Sequence, residues 1–339
     1  PDIFLLQEVS AIPKRISDSF NIKYSKAIYK DGKEQRFGTA VGVKGRIISE
    51  LPLLSEHDWV NTQLEHFAGN IVSAVVQPVG CPSINIVSVH CPAWSIDISK
   101  FKGIDVAAVK TRQNPKLWVT DILWSALKNV DFVDAPWIIG GDLNTSETFD
   151  RDWQDKNNIR FGIRSSGNKE TLDRIESLGF IECLRKHNGK LVPTFRNATD
   201  HAVVHQIDHL FVTSPLYSNL KSCTTGKEMD IFKAKALISD HLPIIADFGI
   251  PYVVPSYIDD FINRNKWTIA KTIPEIPHNY LLRDNLSEND KKLFDEFDTF
   301  IKKNGYTKSF YSKQYTYYNL GNYKYWVIEN ILNRDELKV

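Results

Sequence analysis

Side chains able to move protons or bind a metal ion follow short apolar segments at five places in the sequence: Glu8, His90, Asp142 with Asn144, Asp208, and Asp240 with His241. Groups at strand ends are held by a packed sheet, while the adjoining loops leave room for a substrate. The set offers mostly carboxylate oxygens and contains no cysteine cluster. Because hard oxygen ligands select Mg2+ or Mn2+ over zinc, the inventory predicts metal-assisted chemistry on a phosphoryl group.

The elements that must position these groups are short apolar runs separated by Gly, Pro and Ser. The predicted strands are Ile3–Leu6, Thr39–Val43, Ile71–Val76, Ile84–Val89, Trp137–Ile139, Gln206–Thr213 and Ile244–Phe248. A helix is predicted over Pro115–Leu127, capped by Asn114, because Pro suits a first helical turn. A second helix is predicted over Lys169–Leu178, with Gly179 as its stop. This pattern indicates a mixed α/β domain.

Four segments resemble, in the same order, the motifs of the endonuclease/exonuclease/phosphatase superfamily. They are Asp2–Glu8, Gly140-Gly141-Asp142-Leu143-Asn144, Gln206–Phe211 and Ser239-Asp240-His241-Leu242-Pro243. Leu143 stands where the family's Gly-Asp-Phe-Asn motif has Phe. The resemblance covers Pro1 to about Phe248 and implies the DNase I-like fold, a four-layer sandwich of two packed mixed β-sheets flanked by helices.

The resemblance also implies a metal and a proton acceptor. Glu8 would bind the divalent cation, Mg2+ or Mn2+, with Asp240 close to it. His241 would act as general base on the attacking water. Asp208 would hydrogen-bond His241, fix its tautomer and stabilise its charged form.

Three further residues receive roles from the same resemblance. Asp142 would align the nucleophile, and Asn144 would donate a hydrogen bond to a phosphate oxygen in the transition state. His90 would contact the scissile phosphate or help to protonate the leaving group.

Plain structural readings of the same residues stay open. Asp142 could be a turn residue, Glu8 a solvated strand end, and His241 or His90 a packed histidine; the context of His90 matches the family only loosely. His209 is interpreted as a packed imidazole that supports the site rather than as a catalytic group.

Two residues of the segment before the Asp208 strand are candidates for substrate contact. Phe195 could stack on a base and Arg196 could grip a phosphate, or both could be ordinary loop packing.

The phosphoester itself is not named by the motifs, since one fold serves several substrates. The stretch from Val192 to Ile207 lacks the Trp-x-Asp-Arg pattern of inositol-phosphate phosphatases, and no apolar stretch suggests a sphingomyelinase. A metal-dependent hydrolase of nucleic acid, an endonuclease or exonuclease acting on DNA or RNA, is the leading hypothesis. The alternatives are a phosphomonoesterase or phosphodiesterase acting on a small or lipid phosphoester, and an inactive binding protein.

Composition sets wider limits on these hypotheses. The chain has 339 residues, 42% of them apolar and 24% charged, and a formal net charge of +1. No global field therefore favours nucleic acid or an anionic membrane, and any such contact needs a local patch. No window has the roughly 18 apolar residues of a membrane span. The four cysteines lack zinc spacing, which predicts buried free thiols and a cytoplasmic location.

Three segments are predicted along the chain: a catalytic domain over 1–250, a linker over 251–261 and a small α+β accessory domain over 262–339. Because Pro1 directly precedes an apolar run, we expect the catalytic domain to lack its first strand here. The accessory domain is predicted to hold a helix around Leu293–Ile301 and a hairpin of Tyr315–Tyr318 and Tyr323–Val327. Its lysines and tyrosines suit single-stranded nucleic acid, or a packed hairpin with solvated lysines.

Overall fold

A computed structural model describes the chain over 1–29, 31–79, 81–130, 132, 135–150, 167–199, 201–233 and 239–250, together with the backbone of 268–270, 307–311, 316–320 and 323–328. Its strands are β1 Ile3–Val9, β2 Asn21–Ile28, β3 Glu34–Val43, β4 Gly45–Glu50, β5 Ile71–Pro78, β6 Ile84–His90, β7 Trp137–Asp142, β8 Phe180–Glu182, β9 Phe195–Arg196, β10 Val203–His205, β11 Asp208–Thr213, β12 Leu220–Thr225, β13 Ile244–Phe248, β14 Thr268–Ala270, β15 Thr307–Tyr311, β16 Thr316–Leu320 and β17 Tyr323–Ile328.

The helices lie between these strands. They are α1 Lys14–Ser17, α2 Asp58–His66, α3 Val119–Leu127, α4 Asn168–Glu176, α5 Cys183–Asn188, α6 Ser214–Tyr217 and α7 Glu228–Ile231, with a 3-10 turn at Ile98–Phe101. Among the described residues, no helix is long and apolar enough to cross a membrane.

Six of the described strands form one mixed sheet in the order β4-β5-β6-β7-β11-β8. The β6–β7 pair is parallel, and the other pairs are antiparallel. The register places Asp142, the last residue of β7, between His90 on β6 and Asp208 on β11. Three of the predicted chemical residues therefore meet at one end of this sheet.

A second β layer packs against the first and consists of two separate antiparallel sheets, β1-β3-β2 and β12-β13. The predicted second mixed sheet is thus divided in the described residues. A two-residue pairing of β9 with β10 lies beside the site.

Two apolar cores explain why the central strands are apolar without interruption. Alternate side chains of a strand point to opposite faces. Ile139 and Phe211 belong to the core that the six-stranded sheet shares with α2, α3 and α4. Their neighbours Ile138 and Val212 belong to the core between the two β layers. The α/β sandwich predicted from the sequence is confirmed.

The predicted start of the first helix is wrong. The helix α3 begins at Val119, so Asn114 does not cap it. Leu117 instead forms a β-bridge with Ile96, and the Asp121 carboxylate accepts a hydrogen bond from the Trp118 N–H at 2.9 Å. These contacts keep the chain extended up to Trp118.

The hairpin predicted near the end of the chain is present in the backbone as the antiparallel pair β16–β17. Together with β14 and β15 it forms a sheet in the order β14-β17-β16-β15. The predicted helix around Leu293–Ile301 and the linker over 251–261 lie outside the described residues.

Candidate active site

An Asp–His pair lies at the centre of the site. The Nδ1 atom of His241 lies 2.9 Å and 3.1 Å from the two carboxylate oxygens of Asp208, so the Nδ1–H group donates a hydrogen bond to that carboxylate. In the neutral imidazole this contact makes Nε2 the atom that can accept a proton, and Nε2 lies 3.9 Å from Asp240. Burial lowers the pKa of His241, but the hydrogen bond and charge of Asp208, with Asp142 and Asp240, raise it to about 9.

A second carboxylate lies opposite the first. Asp142 is buried. One carboxylate oxygen of Asp142, one of Asp208 and one ring nitrogen of His241 all lie within 4.8 Å of one another. Burial, followed by the like charge of Asp208, raises the pKa of Asp142 to about 7. The ionised form of Asp142 is thus disfavoured by burial and by the neighbouring carboxylate.

The loop after Asp142 is held in a sharp turn. Asn144 has a left-handed backbone with φ of +49°, and its N–H donates to Asp142 Oδ1 at 2.8 Å. Its side-chain amide donates to the Cys91 carbonyl at 2.7 Å and to Asp142 Oδ2 at 3.0 Å. Both amide hydrogens are therefore engaged within the protein.

His90 closes the other side of the site. Its Nε2 atom lies 3.6 Å from Glu8 Oε1, and its Nδ1 atom lies 3.2 Å from the amide nitrogen of Asn70. Burial, with repulsion from His241, lowers the pKa of His90 to about 4. The imidazole is therefore neutral at neutral pH, and its contact with Glu8 is a polar contact rather than an ion pair.

Glu8 reaches the site through a bulge in β1. The register shifts between Leu6 and Val9, and Glu8 has φ of +52°. Its side chain is half-exposed, and burial raises its pKa, with His241 lowering it and Asp240 raising it. Glu8 therefore interacts electrostatically with Asp240 and His241, which lie in the loop before β13.

Gln7 ties Glu8 to the six-stranded sheet. The Gln7 amide donates to the buried Ser88 hydroxyl at 2.9 Å, two residues before His90 on β6. The same amide packs against Gly141, where an added Cβ would lie 2.7 Å from Gln7 Nε2 and 2.0 Å from the Val89 carbonyl. A glycine is required at this point for both layers to meet beneath the site.

Comparison with solved structures identifies the architecture. An AP endonuclease from Archaeoglobus fulgidus superposes with a TM-score of 0.51 at 19% sequence identity, over 74% of this chain and 90% of that one. The APE2 catalytic domain of Xenopus laevis superposes with a TM-score of 0.51 at 16% identity, over 75% of this chain and 85% of that one. The chain has the DNase I-like fold. No protein-family model and no curated protein matches its sequence.

Within the DNase I-like fold of this chain, the two predicted substrate-contact residues have different surroundings. The Phe195 ring lies 5.1 Å from the His241 ring, and the two residues form a backbone bridge. Arg196 contacts Phe232: its guanidinium donates to the Phe232 carbonyl at 3.3 Å and lies over the Phe232 ring. Phe195 is therefore beside the Asp–His pair, whereas Arg196 braces the segment around Phe232.

Sequence reasoning missed the residues that hold the chemical groups in place. The Thr194 hydroxyl accepts from the backbone N–H of Ile207 and of Asp208, which fixes the start of β11. Asn70 holds His90, and Gln7 holds Glu8. Gln7 and Thr194 are adjacent to predicted residues, but nothing in the local sequence around Asn70 indicates its contact.

Proposed function

We propose that the chain is a divalent-metal-dependent phosphodiesterase that cleaves DNA or RNA by attack of a water molecule activated by His241. The observation that carries this proposal is the contact between His241 Nδ1 and Asp208, which leaves Nε2 as the proton acceptor beside the buried Asp142. An oriented imidazole contributes roughly 10²–10⁴-fold as a general base.

Asp208 and His241 act together in the proposed proton transfer. His241 Nε2 takes a proton from the water as the water oxygen bonds to phosphorus and the bond from phosphorus to the leaving oxygen breaks. Asp208 stabilises the resulting imidazolium through Nδ1, and the leaving oxygen takes up a proton from solvent. Asp142, whose two oxygens accept from Asn144, aligns the water. His90, neutral at neutral pH, acts as a hydrogen-bond donor to the phosphate or the leaving oxygen rather than as a charged acid.

The donor set suits a hard divalent cation. Glu8 and Asp240 are half-exposed carboxylates, and the charge of Asp240 raises the pKa of Glu8; their oxygens are of the type that Mg2+ or Mn2+ prefers. A cation held by Glu8 and Asp240 would supply positive charge that offsets the negative charge developing on phosphate, and the same charge would disfavour the imidazolium form of His241. Asp142 and Asp208 add a second group of oxygens on the same side of the sheet.

Nucleic acid is the substrate class supported best. One of the superposed structures is named as an AP endonuclease. The Phe195 ring beside His241 offers an apolar face to a base or sugar next to the scissile phosphate.

The experiment is hydrolysis by the purified full chain with Mg2+ on plasmid DNA, single-stranded DNA, RNA, a chromogenic phosphodiester and a chromogenic phosphomonoester. His241→Gln is assayed in parallel, so that activity from a contaminant is recognised. Cleavage of nucleic acid that disappears in His241→Gln supports the proposal. Hydrolysis of the phosphomonoester alone, or binding of nucleic acid without cleavage, would overturn it in favour of the corresponding alternative.

A further inference from the structure

A polar junction is buried directly beneath the site and takes no part in the proton transfer described above. Its members are Glu182 on β8, Gln206 before β11, and His209 on β11, with exposed fractions of 2%, 0% and 1%. Buried polar groups cost free energy unless they are hydrogen-bonded. The polar atoms of these three residues must therefore be hydrogen-bonded within the protein.

The junction is internally connected. Glu182 accepts from the Arg185 N–H at 2.6 Å, where it caps α5, and from the Gln206 amide at 3.1 Å. Gln206 in turn accepts from the Val192 N–H at 3.1 Å. The Nδ1 atom of His209 lies 3.4 Å from the Gln206 amide nitrogen and 3.6 Å from Glu182. One edge of the His209 ring is thus held in a fixed orientation.

The other edge of the ring points at the site loop. His209 Nε2 lies 3.0 Å from the Thr145 carbonyl oxygen. A carbonyl can only accept, so Nε2 carries a proton whatever the state of Nδ1. Thr145 is also held by its hydroxyl, which donates to Asn168 at the start of α4 at 2.8 Å.

The hydrogen bond from His209 to the Thr145 carbonyl lies next to a strained backbone position. Thr145 directly follows Asn144, whose left-handed backbone is uncommon for a residue other than glycine and persists only where the surroundings enforce it. Asn144 in turn orients Asp142 through two hydrogen bonds. A hydrogen bond that fixes the Thr145 carbonyl therefore also limits the movement of Asn144, and through Asn144 that of the Asp142 carboxylate.

We infer that His209 is a positioning residue of the proposed phosphodiesterase, acting through the Thr145 carbonyl to fix Asn144 and Asp142. The inference rests on the proposed function. One strand then aligns both halves of the site, because Asp208 contacts His241 while its neighbour His209 holds the loop after β7.

The test compares two amides at position 209. In His209→Gln the amide nitrogen lies near the place of Nε2 and can still donate to Thr145. In His209→Asn the amide lies near the place of Nδ1, so it can contact Glu182 or Gln206 but not Thr145. We expect His209→Asn to lower kcat about 10–100-fold with KM nearly unchanged, as loss of an orienting partner does, and His209→Gln to remain within about threefold of wild type.

The route through Asn144 is tested by a double-mutant cycle. If His209 acts through this residue, His209→Asn should cost much less in an Asn144→Ala background than in the wild type. Full additivity of the two losses, or equal losses in His209→Gln and His209→Asn, would overturn the inference, because a merely structural role would not distinguish the two amides.

A measurement independent of catalysis separates this inference from the proposed function. Amide hydrogen exchange of Asn144, Thr145 and Ser146 should be faster in His209→Asn than in wild type and unchanged in His209→Gln. If no form of the protein hydrolyses any substrate, the proposed function fails. The exchange result still decides whether His209 restrains the Thr145 segment. Should His209→Asn fail to fold, His209→Leu supplies the donor-free comparison, and unchanged exchange in the folded variant would overturn the inference.

Discussion

Asp142 and Asp208 are directly opposite each other in the antiparallel pair β7–β11, at the end of the sheet where the strands open toward the site. Both carboxylates act on the same imidazole, since the negative charge of each raises the pKa of His241. The two acids nevertheless differ in their contacts. Asp208 accepts a hydrogen bond from His241 Nδ1, whereas Asp142 is buried beside it and is held by Asn144.

The Asp208–His241 contact predicts strongly coupled losses of activity. His241→Ala should lower kcat by at least about 10²-fold, because the proton acceptor is lost. Asp208→Asn should lower kcat as well, since the amide can no longer stabilise the imidazolium. The double variant should be little worse than His241→Ala alone, because the two residues act as a unit. Single-turnover cleavage measures all three rates.

The control for this cycle is His187→Ala, which removes an exposed imidazole on α5. It should leave kcat unchanged. Equal and independent losses from His241→Ala and Asp208→Asn would contradict a shared role.

The raised pKa of Asp142 predicts how stability depends on pH without metal. An acid whose folded pKa is raised from 3.8 to about 7 favours the fold while protonated, and this contribution is lost as pH rises through the folded pKa. Asp142→Asn, which cannot ionise, should therefore gain stability relative to wild type between about pH 4 and pH 8. Thermal unfolding in a chelating buffer measures the difference, and a constant difference across this range would contradict the buried, destabilised carboxylate. The same variant should lose turnover.

Metal dependence is predicted from the half-exposed carboxylates. Chelation should abolish hydrolysis, and Mg2+ or Mn2+ should restore it. Glu8→Gln should raise the Mg2+ concentration needed for half-maximal activity by at least about tenfold, because a neutral amide is a weaker ligand for a hard cation. Calorimetric titration with Mn2+ should show the same weakening. The control is Glu65→Gln, at an exposed position on α2; an equal shift in this control would indicate nonspecific screening.

The strand ends could be predicted from the sequence because the strands themselves are local patterns. The apolar segments leading to Asp142 and Asp208 alternate between two cores, so each strand reads as a continuous apolar run that stops at a polar residue. The order of the four motifs then indicated which of these polar residues belong to the candidate site. The strands β2 and β4 were not predicted, because lysines and other polar residues interrupt their apolar pattern.

Contacts between distant segments could not be predicted in the same way. Gln7 and Ser88 are 81 residues apart, and His209 and the Thr145 carbonyl are 64 residues apart. The start of α3 depends likewise on the bridge between Ile96 and Leu117, which no local capping signal reveals. The division of the chain into 1–250, 251–261 and 262–339 stays a prediction.

The cysteines give a last prediction, which concerns thiol chemistry. Cys91, Cys183 and Cys223 are buried, and burial raises the pKa of each thiol, that of Cys223 to about 12. Cys81 is partly exposed, yet burial, with the charge of Asp2, raises its pKa to about 11. Since the thiolate is the reactive form, the native protein at pH 7.5 should react slowly with iodoacetamide at Cys81 and not measurably at the other three. Mass spectrometry after denaturation should then find four free thiols, and Cys81→Ser should remove the native reaction. Rapid native labelling of Cys91 would show that the loop bearing the Asn144 contact opens, and would contradict the closed arrangement of the site.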